Sequence, residues 1–527
     1  MLSNKDIKLD FDEIFPFDQP RPLQREIIEK IAEAFENGKK HAILSAPTGI
    51  GKSVIALALS KYLGSSYILT SQKVLQDQYA NDFFIPKIKG RYNYICSRNS
   101  RLKCDFGMCI KKKYSCKDCP YQLAKAEAFS APISVFNYTY FFNSMRAQNH
   151  PQIRDLLVCD EAHNCEQLLI DFASVSLAKT DFLKFKLGKG FLSFPTVRMS
   201  DDDKLDWLFG DALGAFQTSF DRETLDFKNM DINDYGFREQ SRKCKYLDTI
   251  VCMINRFKEE LDKGIDIIID QKENKAIAYK LLFGRSMADS SLFQYAKKSL
   301  SMSATLFSKE DYCKNLDLDP DESIFVKCPS MFPKENRPIY FFSVGNLSYA
   351  TKEKAKPKII DTVSKILKKH KDQRGIIHTV NYELADCIYS AADSHRLIFP
   401  KGKERDEHIE YFMESTADNL VLISPSLQEG IDLTDDLSRF YILVKTPYPG
   451  LGDPWVKARM KADPMWYTLA TIKSIVQASG RSVRSKDDFA IGYILDSSFA
   501  YFFNKNEDLF PDWWKEALHF KTNSLKK

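Results

Sequence analysis

Three short segments of this 527-residue chain carry residue types whose order points to phosphoryl chemistry. The first is Ala46-Pro47-Thr48-Gly49-Ile50-Gly51-Lys52-Ser53, set between the apolar run His41 to Ser45 and the helical stretch Ser53 to Leu63. That placement predicts a strand, a loop and a helix whose backbone N–H groups and N-terminus face a nucleotide's phosphates. Gly49 and Gly51 let the backbone approach closely, Lys52 neutralises the β- and γ-phosphates, and the Ser53 hydroxyl ligates Mg²⁺. Ala46 stands where the general pattern has glycine. The second segment, Asp160-Glu161-Ala162-His163, ends the apolar run Leu156 to Cys159. Asp160 is expected to hold Mg²⁺ through water, Glu161 to orient or deprotonate the attacking water, and His163 to couple the site to a second domain. The third, Gln477-Ala-Ser-Gly-Arg-Ser-Val-Arg484, places Arg481 and Arg484 three residues apart on one helical face. Reaching across a cleft, they would stabilise the negative charge that phosphoryl transfer builds.

A separate cluster has the chemistry of a metal site. Five of the twelve cysteines, Cys96, Cys104, Cys109, Cys116 and Cys119, fall in one short stretch. Cys116-Lys-Asp-Cys119 is the strongest pair and Cys96 the third thiolate. The fourth is Cys109 or Cys104, with Cys109 favoured because it sits nearer the pair. Spacing alone does not separate iron–sulfur from zinc. The same stretch is basic (Lys89, Arg91, Arg98, Arg101, Lys103 and Lys111 to Lys113), with Tyr92, Tyr94, Phe106 and Tyr114 interleaved. Cations alternating with aromatic rings are the composition of a groove for single-stranded nucleic acid.

The elements that must position these residues follow from hydropathy patterning. Tyr67 to Thr70, Ile133 to Asn137 and Leu156 to Asp160 join His41 to Ser45 as strands separated by helical patterns, which implies a parallel sheet covered on both faces. From about Cys165 to Lys298 long amphipathic stretches such as Arg242 to Lys263 read as helical, with a β-rich patch at Ile265 to Tyr279. Ser299 to Thr305 returns to strand character. A second alternating series follows in Arg374 to Val380, Asn419 to Ser424, Phe440 to Val444 and Ala490 to Asp496.

Bulk properties agree. The length suggests roughly three to four structural units. A net charge of +5 permits a nucleic-acid partner without demanding one. No apolar run approaches a membrane span and the first ten residues carry no secretory core, so a cytoplasmic location is expected, nucleoid-associated in a bacterium.

Taken in order, the motifs resemble those of superfamily 2 helicases, and within them the XPD- and DinG-like iron–sulfur DNA helicases, over nearly the whole chain. Gln24 looks like the adenine-reading glutamine, Leu69 to Gln78 like motif Ia, Asp160 to His163 like a DEAH box, Ser303-Ala304-Thr305 like motif III, Gln428 to Asp432 like motif V, and Gln477 to Arg484 like motif VI. Lys89 to Cys96, Cys119-Pro-Tyr-Gln and Asn137-Tyr138 match the family signature around its cysteines. Asp496 stands where relatives often carry arginine, which puts the hinge chemistry there in doubt.

The resemblance implies an α/β fold of two RecA-like parallel-sheet motor domains, the first interrupted by a small Fe–S domain and a mostly helical Arch. The expected division is motor domain 1 at 1–88, 120–168 and 298–325, the Fe–S domain at 89–119, the Arch at 169–297 and motor domain 2 at 326–527. It further implies ATP, Mg²⁺ and a [4Fe-4S] cluster, with Asp432 at the nucleotide and Ser303 and Thr305 coupling it to movement. Thr70, Ser71, Arg91 and Tyr94 would touch DNA. The partners would be single-stranded DNA and its junctions with duplex, together with DNA-processing proteins, and the motor would be monomeric, moving 5′→3′.

Overall fold

In the first sheet, alternate residues of each strand face opposite apolar layers, which is why runs such as Ala42-Ile43-Leu44 carry no polar side chain. Ile43, Tyr67, Leu69, Phe136, Leu157 and Cys159 pack on one side; Ala42, Leu44, Ile68, Val135, Leu156 and Val158 pack on the other. A computed structural model describes residues 9–106, 116, 118–148, 150–188, 193–230, 234–392, 395–425, 437–479 and 488–521.

Seven parallel strands form this sheet, in the order Ser323–Lys327, His41–Ser45, Ala296–Ser303, Arg154–Asp160, Ser66–Thr70, Ile133–Asn137 and Lys87–Ile88. The strand His41–Ser45 ends in the glycine loop, and Gly51, at φ +83°, caps the helix Lys52–Leu63 that follows. Ser323–Lys327, at the sheet edge, carries the first unit two residues past the expected end at 325.

A second sheet of seven parallel strands follows, in the order Leu397–Ile398, Val421–Ser424, Gly375–His378, Phe440–Leu443, Ile491–Asp496, Ile339–Gly345 and Leu518–Lys521. Apolar layers cover both of its faces. The doubt over Asp496 resolves structurally: its carboxylate accepts backbone N–H bonds from Leu347, Thr446 and Ser498 at 3.0–3.4 Å, tying loops together at the strand end.

Two insertions leave the first sheet. A small hairpin pairs Ile95–Cys96 with Asn99–Lys103. The larger insertion holds the helices Leu213–Asn229 and Phe237–Leu261 and a three-stranded antiparallel sheet of Val175–Ala178, Ala276–Leu281 and Ile267–Lys272. Phe237–Leu261 buries Phe237, Ser241, Cys244, Leu247, Ile250, Val251, Ile254 and Phe257, the three-and-four spacing of a helix with one apolar face. The long helix clamps the hairpin unit: Lys245 pairs with buried Asp105 at 2.9 Å, Arg238 donates to the Arg101 carbonyl at 3.0 Å, and Arg242 lies over Phe106. No helix among the described residues is long and apolar enough to cross a membrane.

Candidate nucleotide site and nucleic-acid groove

Parallel sheets place ligands at the carboxyl ends of their strands, and three neighbouring strands bring the predicted motifs together there. Ser45 pairs with Ser303, and Met302 pairs with Asp160, so the glycine loop, the serine–threonine motif and the acidic pair lie side by side. Lys52 Nζ donates to the Ala46 carbonyl at 3.2 Å, closing the loop Ala46 to Ser53 on itself. Gly49 and Gly51 take φ of +90° and +83°, a left-handed backbone that glycine adopts without strain.

Asp160 is buried and accepts from Tyr79 Oη at 3.2 Å, and Tyr79 also bonds Ser53. Burial, followed by the charge of Glu161, pushes the Asp160 carboxyl up to about 7 despite the opposing pull of Lys52. Such a carboxylate beside a serine hydroxyl and a phosphate-binding loop fits a Mg²⁺–nucleotide, whose charge would reverse that shift. Glu161 itself sits at φ 52°, an uncommon backbone conformation for a non-glycine residue and the kind that clusters at active sites.

His163 links this acid to the second unit. Its Nδ1 lies 2.6 Å from Ser303 Oγ and 3.2 Å from Glu161 Oε2, while its Nε2 lies 2.8 Å from Gln477 Nε2. An amide nitrogen only donates, so His163 Nε2 is the acceptor and the ring proton resides on Nδ1, toward Ser303 and Glu161. Thr305, also buried, donates its backbone N–H to Ser303 Oγ at 3.2 Å. The site thus gathers Lys52, Ser53, Asp160, Glu161, His163, Ser303, Thr305 and Gln477; Asp432, Arg481 and Arg484 lie outside the described residues.

Gln24 and Thr70 are both buried. Gln24 is 2% exposed, its Nε2 donating to the Ile50 carbonyl and its Oε1 accepting from the Arg21 N–H, both at 2.8 Å. These bonds brace the phosphate loop with one amide N–H and one carbonyl lone pair, leaving one of each for a further partner. Thr70 is fully buried with its hydroxyl bonded to the Gln72 carbonyl. Neighbouring Ser71 is half-buried; Asn137 Nδ2 donates to its carbonyl at 3.1 Å.

In the hairpin unit, Arg91 is exposed with its guanidinium 4.9 Å from the Tyr121 ring, and Tyr94 packs edge-on against that same ring. The Sγ atoms of Cys104 and Cys119 lie 3.3 Å apart, hydrogen-bonded and not joined by a disulfide. Cys116 packs on the apolar layer that holds both, and Cys96 is buried in the hairpin. The hairpin explains the pairing, because it folds the chain back so that the Cys104 N–H meets the Tyr94 carbonyl at 2.8 Å. Converging thiols, Cys104 among them, fit a thiolate-held cluster, although no group of three metal-binding side chains forms among the described residues. Cys109 lies outside the described residues.

Sequence reasoning passed over two features. A groove of about 1000 Å³ runs between the hairpin and the long helix, lined by Arg101, Lys184, Arg238, Arg242 and Lys243 with Tyr246 stacked on Phe185. The other is an anchor between units. Arg459, in the helix Pro454–Ala462, is fully buried and grips Glu166 with both terminal nitrogens at 2.7 and 3.2 Å. It also donates to the Leu282 carbonyl and to Asn315 Oδ1, and Trp455 Nε1 donates to the Leu281 carbonyl. Nothing in the local pattern of that helix marks these residues, since their partners lie 144 to 293 positions away.

A glycine loop and an acidic pair at the edge of one parallel sheet, bridged to a second parallel sheet, define a two-domain nucleoside-triphosphatase fold. Residues 359–517 match the family model described as helicase C-terminal domain, and residues 18–184 match that of the type III restriction enzyme res subunit. A probable ATP-dependent helicase of Methanocaldococcus jannaschii is 20% identical, with 93% of each chain covered. The ATP-dependent DNA helicase YoaA of Escherichia coli is 20% identical over 91% of each. A solved structure titled XPD helicase superposes with TM-score 0.66 at 17% identity, covering 96% of this chain and 100% of that one. The chain is a member of the XPD/DinG-like superfamily 2 helicases.

Proposed function

We propose that the chain is an ATP-dependent DNA helicase that moves 5′→3′ on single-stranded DNA and separates duplex, hydrolysing Mg-ATP between its two sheet units. The observation that carries this reading is the bond from Gln477 to His163 beside Glu161, which makes the acid's surroundings depend on the position of the second unit. Lys52 and the loop N–H groups hold the triphosphate, Ser53 and Asp160 hold its magnesium, and Glu161 takes up the proton of the attacking water. Arg481 and Arg484 supply positive charge from the opposite wall, with Asp432 beside the nucleotide. Both walls come from one chain, as a monomeric motor requires.

The strand runs along the basic groove between the hairpin and the long helix, past Arg91 and Tyr94. In this reading the insertion at 89–119 is the Fe–S domain and that at 169–297 is the Arch. Cys96, Cys104, Cys116 and Cys119 hold a [4Fe-4S] cluster, whose contribution when bound is to stiffen the wedge at the duplex junction. The relatives named as DNA helicases support DNA over RNA.

The test is ATP-driven strand separation on matched duplexes with a 5′ or a 3′ single-stranded tail, using anaerobically purified protein. Unwinding from the 5′ tail alone is expected. Unwinding from the 3′ tail refutes the polarity, and DNA-stimulated hydrolysis without strand separation replaces the helicase by a translocase. Cys104→Ser should lower bound iron and the visible absorbance; retention of both would return the fourth position to Cys109.

A further inference from the structure

Tyr79 lies one residue past the segment that resembles motif Ia, and none of the motifs read from the sequence includes it. It is 1% exposed, and a hydroxyl taken out of water costs stability unless it is hydrogen-bonded. The helix Lys73–Phe83 carries it to the carboxyl end of the first sheet. There its Oη donates to Asp160 Oδ2 at 3.2 Å and also bonds Ser53. One phenol thus touches both side chains assigned to magnesium.

The direction of these bonds matters. A phenol has a single proton, and an ionised carboxylate only accepts. With the Tyr79 proton on Asp160, the Ser53 hydroxyl must donate to the Tyr79 oxygen. A metal ion takes the lone pairs of a serine oxygen, which requires the serine proton to point elsewhere, and the bond to Tyr79 gives it that direction. Asp160 is set by three contacts. The Glu161 N–H donates to its Oδ1 at 2.9 Å, Tyr138 Oη donates to its carbonyl at 2.9 Å, and Tyr79 fixes the second carboxylate oxygen. The helix that carries Tyr79 is itself anchored at the root of the hairpin insertion. Gln76 Nε2 donates to the Ile88 carbonyl at 3.2 Å, and Asp77 pairs with both Lys87 and Lys89. The hydroxyl is therefore placed by contacts that do not involve the nucleotide loop.

We propose that Tyr79 is a positioning residue for magnesium. It turns the Ser53 hydroxyl and the Asp160 carboxylate toward one cation, and so sets the magnesium requirement of the motor without touching the nucleotide. The proposal rests on the reading of the chain as an ATP-hydrolysing motor. Groups that orient a metal's ligands are worth on the order of ten- to hundredfold in metal affinity, which sets the scale expected here.

The test is Tyr79→Phe, which keeps the ring and removes the hydroxyl. Binding of the fluorescent, non-hydrolysable analogue mant-AMPPNP is compared in EDTA and in Mg²⁺. Wild type should bind it more tightly with Mg²⁺. The variant should match wild type in EDTA and lose affinity on the order of tenfold in Mg²⁺. In steady-state hydrolysis with saturating ATP and single-stranded DNA, the free Mg²⁺ needed for half the maximal rate should rise by a similar factor, with the rate largely recovered at saturating Mg²⁺. Equal losses of affinity in EDTA and in Mg²⁺ would make Tyr79 a structural support of the loop and overturn the proposal. An unchanged magnesium requirement would overturn it as well. A wild type that neither binds the analogue nor hydrolyses ATP would overturn the motor reading instead.

Discussion

Two of the contacts that cross between the sheet units are built in opposite ways. At the nucleotide, half-buried His163 and Gln477 share one neutral hydrogen bond. At the anchor, a fully buried guanidinium holds a carboxylate with two nitrogens, adds a carbonyl and an amide oxygen, and is sandwiched by Phe283 and Trp466. A single part-buried bond of this kind contributes about 1 kcal/mol. A buried, multiply bonded ion pair does not open without stranding charge. In the proposed motor the anchor would serve as the pivot and the cleft as the part that cycles. Since Glu166 lies in the helix Cys165–Ala173, directly after the acidic tetrad, the pivot also fixes the element that carries Glu161 and His163 into the cleft.

Breaking the anchor should have the largest effect. Arg459→Ala leaves the Glu166 carboxylate, the Leu282 carbonyl and Asn315 without their donor, and should cost about 3–5 kcal/mol, the range for removing one partner of a buried pair. Chemical denaturation reads this as a lower midpoint. Arg459→Lys should recover only part, because a lysine cannot reproduce the forked, planar contact. A loss under about 1 kcal/mol, the range of an exposed pair, would show that the anchor is not a pivot.

Breaking the cleft contact should spare stability and damage coupling. Gln477→Ala should shift stability by no more than about 1 kcal/mol. Stimulation of ATP hydrolysis by DNA should fall on the order of tenfold, the scale of a coupling free energy between two sites. Comparing hydrolysis with and without DNA measures this. Equal losses in both would place Gln477 in the chemical step and not in the coupling.

The same contrast separates what was legible in the sequence from what was not. The cleft was readable because its residues occupy fixed places at strand ends: Ser45 and Asp160 each close an apolar run whose composition already reports burial on two faces, and Ser303 closes the strand between them. The anchor was unreadable because a buried arginine has the local signature of an exposed one until its distant partner is known. The cysteine choice failed to resolve for a related reason. Nearness in sequence favoured Cys109, whereas the turn between Cys96 and Asn99 returns Cys104 to Cys119. The edge strands Ser323–Lys327 and Leu518–Lys521 escaped because each is short and no motif ends it.

The smallest expected effect tests whether the anchor is tuned as well as strong. Asp311 faces Asp463, Glu166, Lys314 and Arg459 at its edge, and burial, then the charges of Asp463 and Glu166, raise its carboxyl from 3.8 to about 6. Glu166 is raised in the same direction by burial, with Arg459 opposing. A carboxyl that binds its proton more tightly in the fold than in the unfolded chain favours the fold in acid. This contribution is therefore complete below 3.8 and lost as pH rises through about 6, so the ionised Asp311 loosens the anchor at neutral pH. Asp311→Asn keeps the shape and removes the charge. It should raise the melting temperature at about pH 8, while at about pH 4, where the wild-type carboxyl is already protonated, the two proteins should melt together. Equal stabilisation at both pH values would assign the effect to packing and leave the anchor without a charge-based adjustment.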